Sequence, residues 1–351
     1  MNYSPPITMP RTKEGGDRED EQMTDFAPTV SVVIGVYNGA DMIGDCLESL
    51  LEQNYPCDAY DIIVVENGST DNTAEVVKRY PVRFFQNEVR GLAPARNLGL
   101  ENSEADIVMT TDADCIVHPD CLAELAKPYA DPEIGGVGGA ILAYDDGDRN
   151  IIETFSDENA PLVNYVSGEH EFLPRLCGAH ASYRRHLLNQ IGGFNPNMLT
   201  GEDVDISWRI QLETGTRLAY APKAIIYHHH RASRVGLARQ YRHYGFGEIL
   251  LDTMYGKYPD YPRDLKFQIR RMLGQAATLP RYVLSMAIRK VRLATGRATP
   301  YEAAVPGLWF LIESSNIRGK LEGLVMTRFM TNAQPILEMD RATLVAHLYG
   351  N

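Results

Sequence analysis

The 351-residue chain contains no apolar run near the roughly 20 residues that a membrane-spanning helix needs. Its two most apolar stretches, ATLPRYVLSMAI (277–288) and AAVPGLWFLIES (303–314), are too short, and Arg281 interrupts the first. Neither is expected to cross a bilayer. Basic flanks, with Tyr282 and Trp309, leave them as buried helices or as segments that dip into an interface. The five cysteines (46, 57, 115, 121, 177) are odd in number and include no C-x-x-C pair, which argues against a disulfide framework and a zinc knuckle. They are expected to be small buried apolar residues in a reducing cytoplasm. Residues 1–28 lack apolar periodicity and hold Pro5, Pro6, Pro10, Gly15, Gly16 and the run Asp17-Arg18-Glu19-Asp20-Glu21, so a disordered tail and no signal peptide are expected there.

Net positive charge is also missing: at -12 the chain is a poor general ligand for nucleic acid. That average hides an asymmetry. Residues 217–293 hold fifteen Lys/Arg against four Asp/Glu, a local +11 that leaves -23 elsewhere. The basic stretch is either a solvated helical face or a surface that meets something anionic.

What is present is an alternation of strand and helix patterns. TVSVVIGVYN (29–38) is a β-branched apolar run. ADMIGDCLESLLEQ (40–53) follows, with apolar residues at 42, 43, 46, 47, 50 and 51, the spacing of a helix that buries one stripe. DIIVVENGSTDN (61–72) reads as a strand ending in turn residues, with Ser69 or Asp71 able to cap the helix TAEVVKRY. A strand at VRFFQ, a helix after Gly91 and a strand over 106–111 continue the series. Such alternation predicts right-handed crossovers and a mostly parallel sheet. Further on, VHPDCLAELAKPYA predicts a helix, GGVGGAILAY (135–144) a glycine-rich strand entry rather than a phosphate cradle, and TRLAYAP and AIIYHHH two strands. Beyond Arg231 helices predominate, beginning with VGLARQYRHYGFGEILLDTMYG.

Four places invite chemistry. The GVYNGA loop lets backbone approach a nucleotide, and it is also an ordinary strand-to-helix turn. Glu66 ends the next strand, where a carboxylate can accept hydrogen bonds from a base or ribose. Asp112-Ala113-Asp114 puts two acids at another strand end, one suited to a ribose hydroxyl and the other to a divalent cation that takes oxygen ligands. Finally, LTGEDVDISWRI (199–210) has acids where a helix N-terminus favours them, although Val204, Ile206, Trp208, Ile210 and Leu212 also alternate as in a strand.

In order and approximate spacing, SVVIGVYNGADMIGDCLESLLEQ, DIIVVENGSTDNT, GLAPARNLGL, DIVMTTDADC, CGAHASYRR and IGGFNPNMLTGEDVDISWRI make residues 29–235 resemble family 2 glycosyltransferases of the GT-A fold. The resemblance implies an α/β architecture: a Rossmann-like, mostly parallel sheet flanked by helices over 29–235, followed by a helical region over 236–351 that is a candidate for peripheral membrane contact. It implies an inverting transfer of a sugar from a nucleotide-sugar donor to the hydroxyl of a glycan or lipid-linked glycan, with Mg²⁺ or Mn²⁺. Val36, Tyr37, Glu66, Arg96 and Asp112 fall on its nucleotide-sugar side, with Glu66 where the family usually has Asp. Asp114 matches its metal ligand, with His228 or His230 as a further ligand, and Asp203 its catalytic base, paired with Glu202. IGGFNP and CGAHASYRR match its acceptor side. Cell-envelope or polysaccharide assembly, on the cytoplasmic face of the membrane, is the expected setting. Two readings stay open beside it: a nucleotide-sugar-binding protein without turnover, which the full set of acids disfavours, and a nucleotidylyltransferase, which GVYNGADM disfavours by lacking a basic residue.

Overall fold

The computed structural model describes residues 27–164 and 172–330. The tail expected over 1–28 therefore lies, except for its last two residues, outside the described residues, as do positions 331–351.

Four strands, β1 (Val30–Val36), β2 (Tyr60–Glu66), β3 (Arg83–Gln86) and β4 (Ile107–Asp112), alternate with α1 (Ile43–Leu51), α2 (Thr73–Val77) and α3 (Leu92–Glu101). There follow β5 (Cys115–Val117), α4 (Cys121–Ala126), β6 (Ile134–Ala143), α5 (Ile151–Asn159), β7 (His180–Arg184), α6 (Arg185–Gln190), α7 (Glu202–Thr214) and β8 (Arg217–His228). The strands form one sheet in the order β3-β2-β1-β4-β7-β6-β8-β5. Parallel pairing joins β1 to β2 and β4, β2 to β3, and β6 to β8. β7 runs antiparallel to β4 and β6, and β5 antiparallel to β8, so the sheet is mixed, with a continuous four-stranded parallel block, β3-β2-β1-β4, from the first half of the chain.

The central strands are apolar on both faces because helices cover both. Period-2 alternation sends Val32, Ile34, Ile62, Val64, Ile107 and Met109 to one side, against Ile43, Cys46, Leu47 and Leu50 of α1. Val33, Ile63, Val65 and Val108 go to the other, against Ala93, Ala95 and Leu100 of α3 and Ile206 and Ile210 of α7. Each fully buried aliphatic side chain contributes about 1.5–3 kcal/mol. These faces hold the strands in a register that brings Val36 beside Glu66, and Gly35 beside Asp112, at one carboxyl edge.

Several local expectations are corrected. Val117 belongs to β5, so the predicted helix from Val117 starts only at Cys121. The two strands expected over 216–230 are one, β8, whose partner register jumps from Gly139–Ala221 to Ala140–Ile225. The jump leaves 222–224 as a bulge at Pro222, which has no N–H for the ladder. The glycines of β6 lie inside the strand: a Cβ on Gly139 would stand 2.1 Å from His180 Cε1 and 2.3 Å from Ala224 O. Cys46, Cys115 and Cys121 are buried as expected, whereas Cys57 is exposed and Cys177 half-buried.

After the sheet come α8 (Arg234–Tyr255), α9 (Leu265–Ala294) and α10 (Pro300–Met330). α8 and α10 cross at backbone contact, since a Cβ on Gly245 would meet Asn316 O at 2.1 Å and one on Gly319 would meet Arg242 O at 1.9 Å. Among the described residues no helix is long and apolar enough to cross a membrane.

Candidate active site

The loops after β1 and β2 are laced together at the carboxyl edge. Asn38, at a positive φ of 51°, donates its N–H to Ser69 Oγ (2.9 Å) and accepts at Oδ1 from the Thr70 N–H (2.8 Å). Gly39 N–H donates to Thr73 Oγ1 at 2.9 Å, and Asp71 accepts from Thr73 and from the Ala40 N–H. The Thr73 hydroxyl holds the Asp71 carboxyl below its ordinary range. The motif residues here are thus largely spent on shaping two loops. Glu66 is buried and accepts from the Ser69 N–H, so its carboxylate secures the turn that follows it. Val36, expected on the nucleotide-sugar side, packs its side chain into the core and gives its carbonyl to the Asn67 N–H. Tyr37 is exposed, with the Arg90 guanidinium 5.0 Å from its ring centre.

At the next strand end, β4 breaks into a turn and Asp112 and Asp114 converge with His228. One ligand atom from each lies within 4.8 Å of the others. Antiparallel pairing of Cys115 with His228, and a hydrogen bond from the His229 N–H to Asp114 O (2.9 Å), place the imidazole there. Asp114 and His228 are buried, yet Asp114 Oδ1, 3.5 Å from His228 Nε2, and His228 Nδ1 make no hydrogen bond among the described residues. Arg231 Nη1 takes the other oxygen, Asp114 Oδ2, at 3.1 Å. Burial, and then the Asp114 charge, push the Asp112 carboxyl up, with Arg96 opposing. Two carboxylates and an imidazole around an unsatisfied oxygen fit a divalent cation.

Arg96 is a strut inside the protein. It is 1% exposed, packs against Phe194, and bonds Glu202 Oε1 (2.9 Å), Asp112 Oδ1 (3.3 Å) and Gly178 O (2.9 Å). Arg96, expected on the nucleotide-sugar side, is thus enclosed by protein partners. Glu202, expected beside Asp203 in catalysis, is likewise the buried partner of Arg96, its carboxyl raised to about 7 by burial and by Asp203 despite that partner.

The ambiguous stretch 202–214 is a helix, α7, started by Gly201 at a φ of 79°. In its first turn Asp203 Oδ2 accepts the Gly178 N–H at 3.0 Å. The Gly178 peptide therefore joins Asp203 to Arg96, and Arg96 joins it to Asp112: the two acidic motifs share one hydrogen-bonded frame.

Of the expected ligands, His228 enters the cluster and His230 does not. β8 ends at His228, so strand alternation cannot bring 228 and 230 to one face; their ring centres lie 5.7 Å apart. Burial, then His228, lowers the His230 pKa to about 4. Sequence reasoning missed Arg231 and Gly178. The only available signals were the Arg that directly follows the histidines and the single Gly of CGAH.

A family model described as glycosyl transferase family 2 matches residues 31–192. The chain is 27% identical over 289 residues to glycosyltransferase AglE of Haloferax volcanii, which covers 76% of this chain and 93% of that one. It is 23% identical to a dolichyl N-acetyl-alpha-D-glucosaminyl phosphate 3-beta-D-2,3-diacetamido-2,3-dideoxy-beta-D-glucuronosyltransferase of Methanococcus voltae, over 84% of this chain and 97% of that protein. Among solved structures, the mannosyltransferase PcManGT of Pyrobaculum calidifontis, in complex with GDP-Man and Mn²⁺, superposes with a TM-score of 0.54 at 23% identity, over 85% of this chain and 88% of that one. That last likeness concerns the fold.

Proposed function

We propose that the chain, which the glycosyl transferase family 2 model matches over residues 31–192, transfers a sugar, with inversion, from a nucleotide-sugar donor to an acceptor hydroxyl, and that Asp112, Asp114 and His228 hold the divalent cation the reaction uses. The observation that carries this reading is the unsatisfied Asp114 Oδ1 facing His228 within the three-residue cluster. The imidazole favours Mn²⁺ over Mg²⁺, which prefers oxygen ligands in strict octahedral geometry. When bound, such a cation neutralises charge that develops on a departing diphosphate.

The rest falls to the chain's own side chains. Asp203, held by the Gly178 N–H, accepts the proton of the attacking acceptor hydroxyl. A carboxylate is a weak base, so this help comes mainly as the hydroxyl acidifies in the transition state. Arg96 and Glu202 position Asp112 and the Gly178 peptide without touching substrate. Arg231, whose side chain is 46% exposed, presents a guanidinium fork suited to phosphate oxygens beside the cluster. Tyr37 and the laced loops form the nucleoside side. A lipid-linked acceptor is supported by the name of the Methanococcus voltae relative, a dolichyl-phosphate sugar transferase.

The test is thermal unfolding with UDP or GDP, with and without Mn²⁺. Ligand at a hundred times its Kd stabilises the native state by about 2.7 kcal/mol, visible as a rise in Tm. The rise should require Mn²⁺ and disappear in Asp114→Asn. A rise that is the same without Mn²⁺, or that survives the substitution, would remove the cation from this site.

A further inference from the structure

α9 is built inside out. Its protein-facing side is polar: Arg271 pairs with Glu248 (2.7 Å), Gln275 bonds Glu313 (2.7 Å) and Asn316 (3.1 Å), and Arg289 lies 3.6 Å from Glu302. The one buried residue of the helix is Gln268, bonded to Asp252. Its most exposed apolar residues point away. Leu273, Leu284 and Val291 are 65%, 64% and 65% exposed, and Val283 and Ile288 are each 51% exposed. Steps of eleven and seven residues, close to three and two whole turns, align Leu273, Leu284 and Val291 in one stripe about 27 Å long. By the same spacing Arg270, Arg281 and Arg292 border that stripe on one side and Lys290 on the other. Leu265–Ala294 holds seven Lys/Arg and no Asp or Glu.

We propose that the outer face of α9 lies flat on an anionic lipid bilayer, the stripe entering the acyl boundary and the arginines and lysine meeting headgroup phosphates. An apolar stripe between basic rails is the composition of an interfacial helix. The charge selects this occupant: each Lys or Arg near an anionic surface is attracted to it, whereas a second copy of the same face would set Arg270, Arg281, Lys290 and Arg292 against the same four positive charges. Such docking deepens the reading of a lipid-linked acceptor, on which it rests for its biological purpose, by fixing the side of the molecule that meets the membrane.

The experiment is co-sedimentation of the full chain with phosphatidylcholine vesicles, with and without phosphatidylglycerol, in the absence of donor and acceptor. Binding to the anionic vesicles should exceed binding to neutral ones at least about tenfold and fall as salt is raised. Leu273→Asp with Leu284→Asp and Val291→Asp should abolish it, and Arg270→Gln with Arg281→Gln and Arg292→Gln should remove the anionic preference. Both variants should keep the wild-type Tm and the Mn²⁺-dependent nucleotide shift, which separates failure of docking from failure of the sugar-transfer reading. Equal, negligible binding to both vesicles overturns the proposal. So does a stripe variant that binds like wild type, or a chain that is dimeric in solution and becomes monomeric with the stripe substitutions.

Discussion

The chain writes the same D-x-D spacing twice, Asp112-Ala113-Asp114 and Asp203-Val204-Asp205, and the two copies do opposite things. The first closes a strand. Its acids converge on His228, and Asp114 Oδ1 is left without a hydrogen bond among the described residues. The second starts a helix, where residues two apart diverge by about 200° around the axis. Asp203 turns to the Gly178 peptide at the shared frame. Asp205 turns to the core, fully buried, with Arg209 Nε at 2.9 Å and the Tyr255 hydroxyl at 2.7 Å on its two oxygens, tying α7 to α8. An acidic motif has no chemical meaning until the period of its element is known. Asp114 keeps an oxygen without a hydrogen bond among the described residues, whereas both oxygens of the enclosed Asp205 are taken by the fold.

Two substitutions one turn-fragment apart break this contrast if it is wrong. Asp203→Asn should lower kcat for sugar transfer about a thousandfold, about 4 kcal/mol on the barrier, while the urea midpoint stays close to wild type. Asp205→Ala should reverse the pattern. Removing one partner of a buried ion pair costs about 3 kcal/mol or more, read by urea unfolding, and the folded fraction should bind nucleotide normally. If both variants lose the same property to the same degree, the two acids are not divided as the geometry divides them.

The same distinction decides what the amino-acid pattern could disclose. β1, α1, β2 and β4 were legible because apolar periodicity and burial agree there: Ile43, Cys46, Leu47 and Leu50 are the very stripe that packs. The ends of those strands were legible too, since acids and Asn-Gly turns interrupt apolar runs abruptly. β5 was not, because three residues carry no period. β8 was split by Pro222, which reads as a stop and is accommodated as a bulge. The burial of Arg96 had no local signal: its partners lie 16, 82 and 106 residues away, and only the fold creates a cavity with an anion on each side. Of the two apolar stretches, 303–314 packs inward through Leu308 and Ile312, and 277–288 is part of an exposed face that extends back to Leu273 and on to Val291.

Two buried histidines repeat the contrast at smaller scale. His228 turns Nε2 to Asp114 and leaves Nδ1 without a hydrogen bond among the described residues, while His180 is fully enclosed, with Nδ1 3.2 Å from Ala140 O and Nε2 3.3 Å from Cys121 Sγ. Enclosure lowers the His180 pKa to about 4. Its folded value then lies below its ordinary unfolded value of about 6.5, so the unfolded chain binds the proton more readily. The stabilisation is complete above that unfolded value and is lost as pH falls toward 4. Between pH 7 and pH 5 this single group should remove about 2 kcal/mol of stability. Urea unfolding at both pH values, for wild type and His180→Gln, isolates it as the difference between the two pH slopes. A variant whose stability falls with pH as steeply as wild type would show that His180 takes up its proton in the fold as readily as in the unfolded chain.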